Sequence, residues 1–138
     1  MMIKKNTKCY IWDQEECDFF VGKIYDIWSE SNNPTEFIIE IQNEENIVYK
    51  RIPYSCVYTT DNSFSKNNSI KVGMDVFYSR DMGEETRAEL VLTKLVGIGL
   101  EKGLFLLYDP INKIYLIADA NEFHITTEEA SFDLEWND

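Results

Sequence analysis

His124 is the only histidine in the chain and the side chain best suited to proton transfer near neutral pH. A nucleophile would have to lie beside it, and the thiols of Cys17 and Cys56 are the candidates. A histidine inside an apolar run, here residues 123–126, is however typical of a half-buried β-strand. We therefore expect no catalytic residue and no enzymatic activity, while a pairing of His124 with either thiol stays open.

The other chemical motifs are weaker still. The sequence has no phosphate-cradling Gly-rich loop, nucleophile elbow or zinc motif. Gly97-Ile98-Gly99 is a bare Gly-x-Gly that the start of a hairpin explains. Cys9, Cys17 and Cys56 are odd in number and lack metal-ligand spacing, so we expect reduced, partly buried thiols. We predict no cofactor and no metal ligand.

Negative charge is the strongest global feature. Twenty-five Asp and Glu face thirteen Lys and Arg, a formal net charge of −12, and residues 119–138 hold seven carboxylates with no Lys or Arg. Such a surface repels phosphate backbones and anionic lipids, so we expect neither nucleic acid nor membrane as a partner. A basic protein is the expected partner. The alternative is that the charge only maintains solubility.

The length of 138 residues and the 44% apolar fraction suit one compact unit over residues 1–138. Two packed β subdomains, 1–60 and 70–138, with a polar seam at 61–69, are the alternative. No apolar run approaches the roughly 20 residues of a membrane-spanning helix, and no secretory signal is recognisable, so we expect a cytoplasmic protein. The Asn-, Ile- and Lys-rich composition is associated with AT-rich bacterial or phage genomes.

The elements that must position any site are organised around a predicted hairpin at residues 103–119. Two apolar runs, 104–108 and 114–118, flank the sequence Asp109-Pro110-Ile111-Asn112-Lys113. Pro110 presets a turn dihedral, and Asn112 tolerates the left-handed conformation that closes such loops. Because polar residues barely interrupt either run, we expect both strands to be covered on both faces at the centre of a sheet.

Further strands are predicted at 10–12, 19–28, 37–41, 47–52, 54–59 and 123–126, and Gly22 is a candidate β-bulge. Residues 82–96 are ambiguous. A capping box at 81–84 and an apolar stripe from Ala88 to Val96 indicate a helix, whereas β-branched residues indicate a strand that pairs 86–92 with 76–80. The tail at 127–136 is either one short helix or a frayed acidic terminus.

Each half of the chain offers about five short strands. Residues 86–92, followed by Leu106-Leu107-Tyr108-Asp109, resemble the second and third strands of an SH3-like or Tudor-like barrel. The resemblance covers about half of the chain and implies one or two small barrels. The aromatic cage that binds ligands in that family has no residue-by-residue match here, so the resemblance implies no site residue.

We therefore predict a mostly β fold (α+β if 82–96 is helical) with antiparallel strands in one or two SH3-like barrels or a β meander. The expected function is a non-enzymatic inhibitor or immunity-type protein that engages a basic partner. An adaptor that grips a peptide through aromatic residues and a small-molecule-binding β protein are the alternatives. The predicted contact residues are acidic side chains of the C-terminal quarter and tyrosines around Pro53: Asp119, Glu122, Glu128, Glu129, Asp133, Glu135, Tyr49, Tyr54 and Tyr58.

Overall fold

A computed structural model describes residues 3–28, 36–65, 69–81, 88–101 and 103–125. These residues form ten β-strands and two 3-10 helices, Tyr54–Cys56 and Asn62–Phe64. The strands are β1 (Lys8–Asp13), β2 (Asp18–Trp28), β3 (Glu36–Asn43), β4 (Asn46–Pro53), β5 (Val57–Thr59), β6 (Asp75–Asp81), β7 (Ala88–Gly99), β8 (Phe105–Asp109), β9 (Ile114–Ala118) and β10 (Phe123–His124). Every pairing between these strands is antiparallel, and the predominance of strands confirms the predicted mostly β class.

The strand order is the same in both halves of the molecule. The first half has the order β5-β1-β2-β3-β4, and the second half has β10-β6-β7-β8-β9. Of the residues that carry the resemblance to SH3-like barrels, 88–92 lie in β7 and 106–109 lie in β8. The pairings among the described residues do not close the sheet into a barrel, however.

Strand β7 joins the two halves. One of its edges pairs with β6 and then, at Ile98 and Gly99, with β5, while its other edge pairs with β8. The register shifts between Leu95 and Gly97, and a Cβ atom on Gly97 would lie only 2.8 Å from the Cβ of Tyr58. The missing side chain therefore lets β7 approach β5 closely.

Of the two alternatives for residues 82–96, the helix is wrong and the strand is confirmed over 88–96, which belong to β7 and pair with β6 over 88–94. Thr93 and Leu95 are buried whereas Leu92 and Lys94 are exposed, a period of two that only a strand produces. Residues 82–87, which the same prediction includes, lie outside the described residues.

The predicted hairpin is present as β8 and β9, but its two strands differ in burial. Leu106 and Leu107 of β8 are fully buried, whereas Ile114 and Ile117 of β9 are about half exposed. Among the described strands β9 pairs only with β8, so it forms an edge of the sheet. The expectation that both strands are covered on both faces is therefore wrong for β9.

The turn of this hairpin also differs from the prediction. Lys113 takes the left-handed conformation, with φ of 56°, in place of Asn112. The Asn112 side chain instead donates from Nδ2 to Oδ2 of buried Asp109 at 2.8 Å. Oδ1 of Asp109 accepts the N–H groups of Ile111 and Asn112 at 2.9 and 3.2 Å. The turn is thus organised by the aspartate.

Strand β2 carries its bulge at a different residue from the one predicted. The register with β3 shifts between Ile24 and Asp26, so the bulge lies at Tyr25, whereas Gly22 pairs regularly with Cys9. A Cβ atom on Gly22 would lie 2.7 Å from Cγ2 of Ile39. Gly22 therefore serves close packing of the core.

Each half encloses its own hydrophobic cluster, and Phe64 packs against both. The first cluster includes Ile11, Ile24 and Ile39, and the second includes Leu95 and Leu107. Phe64 lies inside the stretch predicted as a polar seam. Whether the halves are one domain or two stays a prediction.

We expect Leu106→Ala to lower the free energy of unfolding by about 2–5 kcal/mol, because Leu106 is fully buried and truncation leaves a cavity. Ile117 is the matched control, since it is the register partner of Leu106 on β9, loses the same number of carbon atoms on truncation and is 45% exposed. Ile117→Ala should cost much less. Equal urea midpoints for the two variants would contradict this assignment of the core.

Candidate binding surfaces

The face of β1–β4 that points away from the first hydrophobic cluster is called the outer face here. Alternation along β4 places Ile47, Tyr49 and Arg51 on it, and it carries Val21 of β2 as well. Val21, Ile47 and Tyr49 each expose about half of their surface. Single exposed apolar residues are ordinary, but several on one sheet face are typical of an interaction surface.

Tyr25 and Tyr49 form an edge-to-face pair on this surface. Their ring centroids lie 4.7 Å apart at an interplanar angle of 64°, and both side chains are half exposed. The Tyr49 hydroxyl donates to Oε1 of Glu40 at 3.3 Å. Desolvation, and then the nearby Glu40 charge, raise the pKa of Tyr49.

An open groove of about 500 Å³ lies beside the tyrosine pair, and its lining is mixed. Val21 and Ile47 supply apolar surface, and Glu40 supplies a carboxylate. Lys8 and Lys23, which are register partners on β1 and β2, line it as well. The two lysines lie on the β1–β2 side of the groove. Negative charge on the outer face is found instead at the β3–β4 hairpin, where Glu44 and Glu45 form the exposed turn.

A second aromatic group packs where the two halves meet. Trp12 contacts Phe19 at 4.9 Å, Tyr108 contacts Tyr115 at 4.9 Å, and Phe19 contacts Tyr115 at 5.2 Å between centroids. Phe19 also lies 6.1 Å from Tyr58. These contacts connect the β1–β2 and β8–β9 hairpins, so this group holds the halves together.

The three predicted tyrosines lie in different environments. Tyr49 is on the outer face, and Tyr54 is exposed in the 3-10 helix that follows β4. Tyr58 is 2% exposed, and its burial raises its pKa to about 12, so we place it in the packing between the halves. The prediction omitted Tyr25, because its position beside Tyr49 depends on the bulge in β2.

The predicted acidic residues that are described form a turn after β9. Oε1 of Glu122 accepts the N–H of Asp119 at 3.1 Å, and Oδ1 of Asp119 accepts the N–H of Asn121 at 2.9 Å. Both residues are half-buried, so their carboxylates stabilise the turn. Glu128, Glu129, Asp133 and Glu135 lie outside the described residues.

Asp13 and Lys50 form an ion pair that links the β1–β2 turn to β4. The Asp13 side chain is nearly fully buried, and Oδ2 contacts Nζ of Lys50. Its Oδ1 accepts the N–H groups of Glu15 and Glu16 at 2.9 and 3.3 Å. The hydrogen bond from Lys50, supported by these N–H groups, outweighs burial and lowers the pKa of Asp13.

The residues considered for catalysis lie in different parts of the fold. His124 is half-buried in β10, where it pairs with Phe77. Cys56 packs in the first hydrophobic cluster, and Cys17 is exposed in the β1–β2 turn. Burial raises the pKa of the Cys9 thiol to about 12, which disfavours its reactive thiolate form. Within the described residues, no group of three or more His, Cys, Asp or Glu is placed to hold a metal ion.

Comparison with known proteins gives no matching family model and no matching curated protein. The part of the chain that the structure describes contains no helix of the length and apolar character that crossing a bilayer requires. The outer face combines half-exposed apolar residues with an aromatic pair, which makes it a candidate interaction surface.

The ion pair predicts a specific dependence of stability on pH. The folded-state pKa of Asp13 lies below its unfolded value of about 3.9, so its contribution is complete above that value and is lost as the pH falls through the folded pKa. We expect Asp13→Asn to destabilise the fold by about 1–3 kcal/mol at pH 7. Urea titrations should show the difference from wild type shrinking as the pH drops below about 4.

Asp26→Asn is the control for this experiment. The N–H of Ile27 and then the charge of Lys5 lower the pKa of Asp26 too, but this pair lies on the surface with 3.5 Å between its atoms. Exposed ion pairs contribute little, so this variant should stay near wild type. A pH-independent loss in Asp13→Asn would show that the charge of Asp13 is not what stabilises the fold.

Proposed function

We propose that the protein is a non-enzymatic, cytoplasmic binding protein that recognises a partner protein through the outer face of β2–β4. The observation that carries this proposal is the half-exposed Tyr25–Tyr49 pair beside Val21 and Ile47. Tyrosines are rigid, amphipathic and enriched among the residues that dominate binding energy in protein interfaces. The ring contact and the Glu40 hydrogen bond hold Tyr49 in place before binding, which lowers the ordering cost.

The charge of the protein favours a basic partner. Glu40 lies against Tyr49, Glu44 and Glu45 form the adjacent turn, and the whole chain carries −12. Complementary charge accelerates association and disfavours acidic competitors. In its sharpest form the proposal is an inhibitor or immunity-type protein that presents carboxylates to the basic surface of a toxin or nuclease. In this proposal the tyrosines contribute most of the binding energy, and the carboxylates increase the association rate and the preference for a basic partner.

An adaptor that grips one short peptide is the second candidate. The observation in its favour is the aromatic character of the outer face, together with the five-strand order repeated in each half. The two candidates differ in what suffices for binding. An adaptor should bind an isolated peptide of its partner nearly as tightly as the whole partner, whereas an inhibitor should need the folded partner.

We expect the double variant Tyr25→Ser, Tyr49→Ser to weaken binding by about 30-fold or more, because it removes two aromatic side chains from the centre of the proposed interface. The partner is first captured from the native host with the wild-type protein, and dissociation constants are then measured by titration calorimetry. Leu92→Ser, Ile111→Ser is the matched control, since both residues are exposed and apolar but lie in the second half. A loss of binding in the control alone would place the interface elsewhere.

Neutralising the acidic turn with Glu44→Gln, Glu45→Gln should lower the association rate more than it raises the dissociation rate. The difference from wild type should fade in salt, since the Debye length decreases from about 10 Å at 0.1 M to about 3 Å at 1 M. Surface plasmon resonance across a salt series measures both rates. The variant Glu128→Gln, Glu129→Gln, Asp133→Asn serves as comparison and shows whether the C-terminal carboxylates contribute. Unchanged rates for both variants would mean that the charge only maintains solubility.

A further inference from the structure

Strand β4 ends the sheet in the described part of the chain. Its inner edge pairs with β3 along all eight of its residues, and no described strand pairs with its other edge. The other edge strands, β9 and β10, have five and two residues. An unpaired strand edge presents N–H and C=O groups that another chain is able to bind.

The direction of these groups follows from Pro53. Because proline has no backbone N–H, the pair between Pro53 and Glu36 is of the non-hydrogen-bonded kind. The two kinds of pair alternate along an antiparallel ladder, and the β3–β4 register has no shift. Ile47, Tyr49 and Arg51 therefore direct their N–H and C=O groups away from β3.

The devices that usually protect an edge are confined to the far end of β4. Lys50 is held by Asp13, and Arg51 is held by Glu36 at 2.7 Å. Residues 46–49 carry no charge, and their side chains Ile47, Val48 and Tyr49 are exposed. Among the described residues, no strand pairs with this part of the edge, which makes it a candidate for strand pairing.

The charges on the two faces indicate the occupant. An added strand places alternate side chains on the outer face, beside Ile47 and Tyr49. The side chains between them project toward a cleft of about 270 Å³ lined by Val48, Lys50 and Glu16. The hydrogen bond to Asp13 is the main cause of the raised pKa of Lys50, and the charges of Glu16 and Glu15 add to it. Cationic side chains fit that face.

We infer that β4 binds an extended segment of the partner protein as an additional antiparallel strand, with apolar residues on the outer face alternating with Lys or Arg on the other. The inference rests on the proposed function, since the outer face supplies the apolar contacts. Main-chain hydrogen bonds to Ile47 and Tyr49 provide the ladder, and the alternating pockets provide selectivity. A second copy of the chain is disfavoured as occupant because each copy carries −12.

The test uses a capped seven-residue peptide in which Lys alternates with Val. By NMR titration we expect binding with a dissociation constant below about 1 mM. At saturation, amide hydrogen exchange of Ile47 and Tyr49 should slow by about tenfold or more, whereas the amides of Val48 and Ile52, already bonded to β3, should change little. A peptide with Glu in place of Lys should not bind.

Backbone methylation separates hydrogen bonding from side-chain contact. In an antiparallel pair the Val residues of the peptide direct their N–H groups toward β4, so N-methylation of Val should abolish binding and N-methylation of Lys should not. On the protein, Ile47→Pro removes an outward N–H without breaking the β3 ladder and should weaken binding about tenfold or more. Ile47→Ala, which keeps that N–H, should weaken it less. If Ile47→Pro does not fold, the methylated peptides decide.

The outcomes distinguish this inference from the proposed function. Peptide binding that shifts Tyr25 and Tyr49 resonances without protecting the outward amides would overturn strand addition and leave the outer-face proposal standing. No binding at millimolar peptide would also overturn strand addition, while the captured partner tests the proposed function separately. Edge protection with no effect of the Tyr25→Ser, Tyr49→Ser variant on the partner would overturn the outer-face proposal. A dimer that Ile47→Pro abolishes would show that a second copy occupies the edge.

Discussion

The close approach of β7 to β5 at Gly97 is the constraint on which the whole sheet depends. Each half has its own hydrophobic cluster, and units of roughly 60 residues bury too little surface to be more than marginally stable alone. β7 connects them because one of its edges serves both β6 and β5. A side chain at position 97 would meet Tyr58 and separate these strands. The pairing of the two halves therefore requires the backbones of β5 and β7 to lie close together. The aromatic contact of Phe19 with Tyr115 adds a second connection between the halves.

Two buried aspartates shape the hairpins that meet at this junction. Asp13 and Asp109 each end a strand and accept two backbone N–H groups from the following turn. Each also lies four residues before a non-glycine residue with positive φ, Cys17 and Lys113 respectively. Burial of a carboxylate is costly unless hydrogen bonds and opposite charge compensate it. Asp13 obtains that compensation from Lys50, which ties β4 to the first hairpin. The edge strand that we propose as the binding element is thus anchored by the same ion pair that organises the turn.

Local patterns in the sequence predict most of the strands and the mostly β class, because alternation and turn chemistry act over a few residues. The hairpin at Asp109 follows from its flanking apolar runs and turn residues, although Lys113 takes the left-handed conformation predicted for Asn112. The ambiguity of residues 82–96 has a physical cause, since Leu92 and Leu95 fit a helical stripe and a strand equally well until β6 and β8 supply partners. The candidate binding surface is even harder to predict from the sequence. Tyr49 stands out by composition, but its neighbour Tyr25 depends on a bulge that no local signal marks.

The acidic composition of the chain disfavours self-association through the unpaired edge of β4. An unprotected edge with exposed apolar residues ordinarily invites self-association. In this chain two copies would bring together −12 each, so repulsion disfavours pairing between identical molecules more than pairing with a basic segment. The backbone N–H and C=O groups of the edge can pair with a strand of any sequence. The charge therefore determines which strand binds. Lys50 and Arg51, the two cations of β4, are each compensated by a carboxylate, and Glu16 together with the Glu44–Glu45 turn adds negative charge where a partner strand would lie.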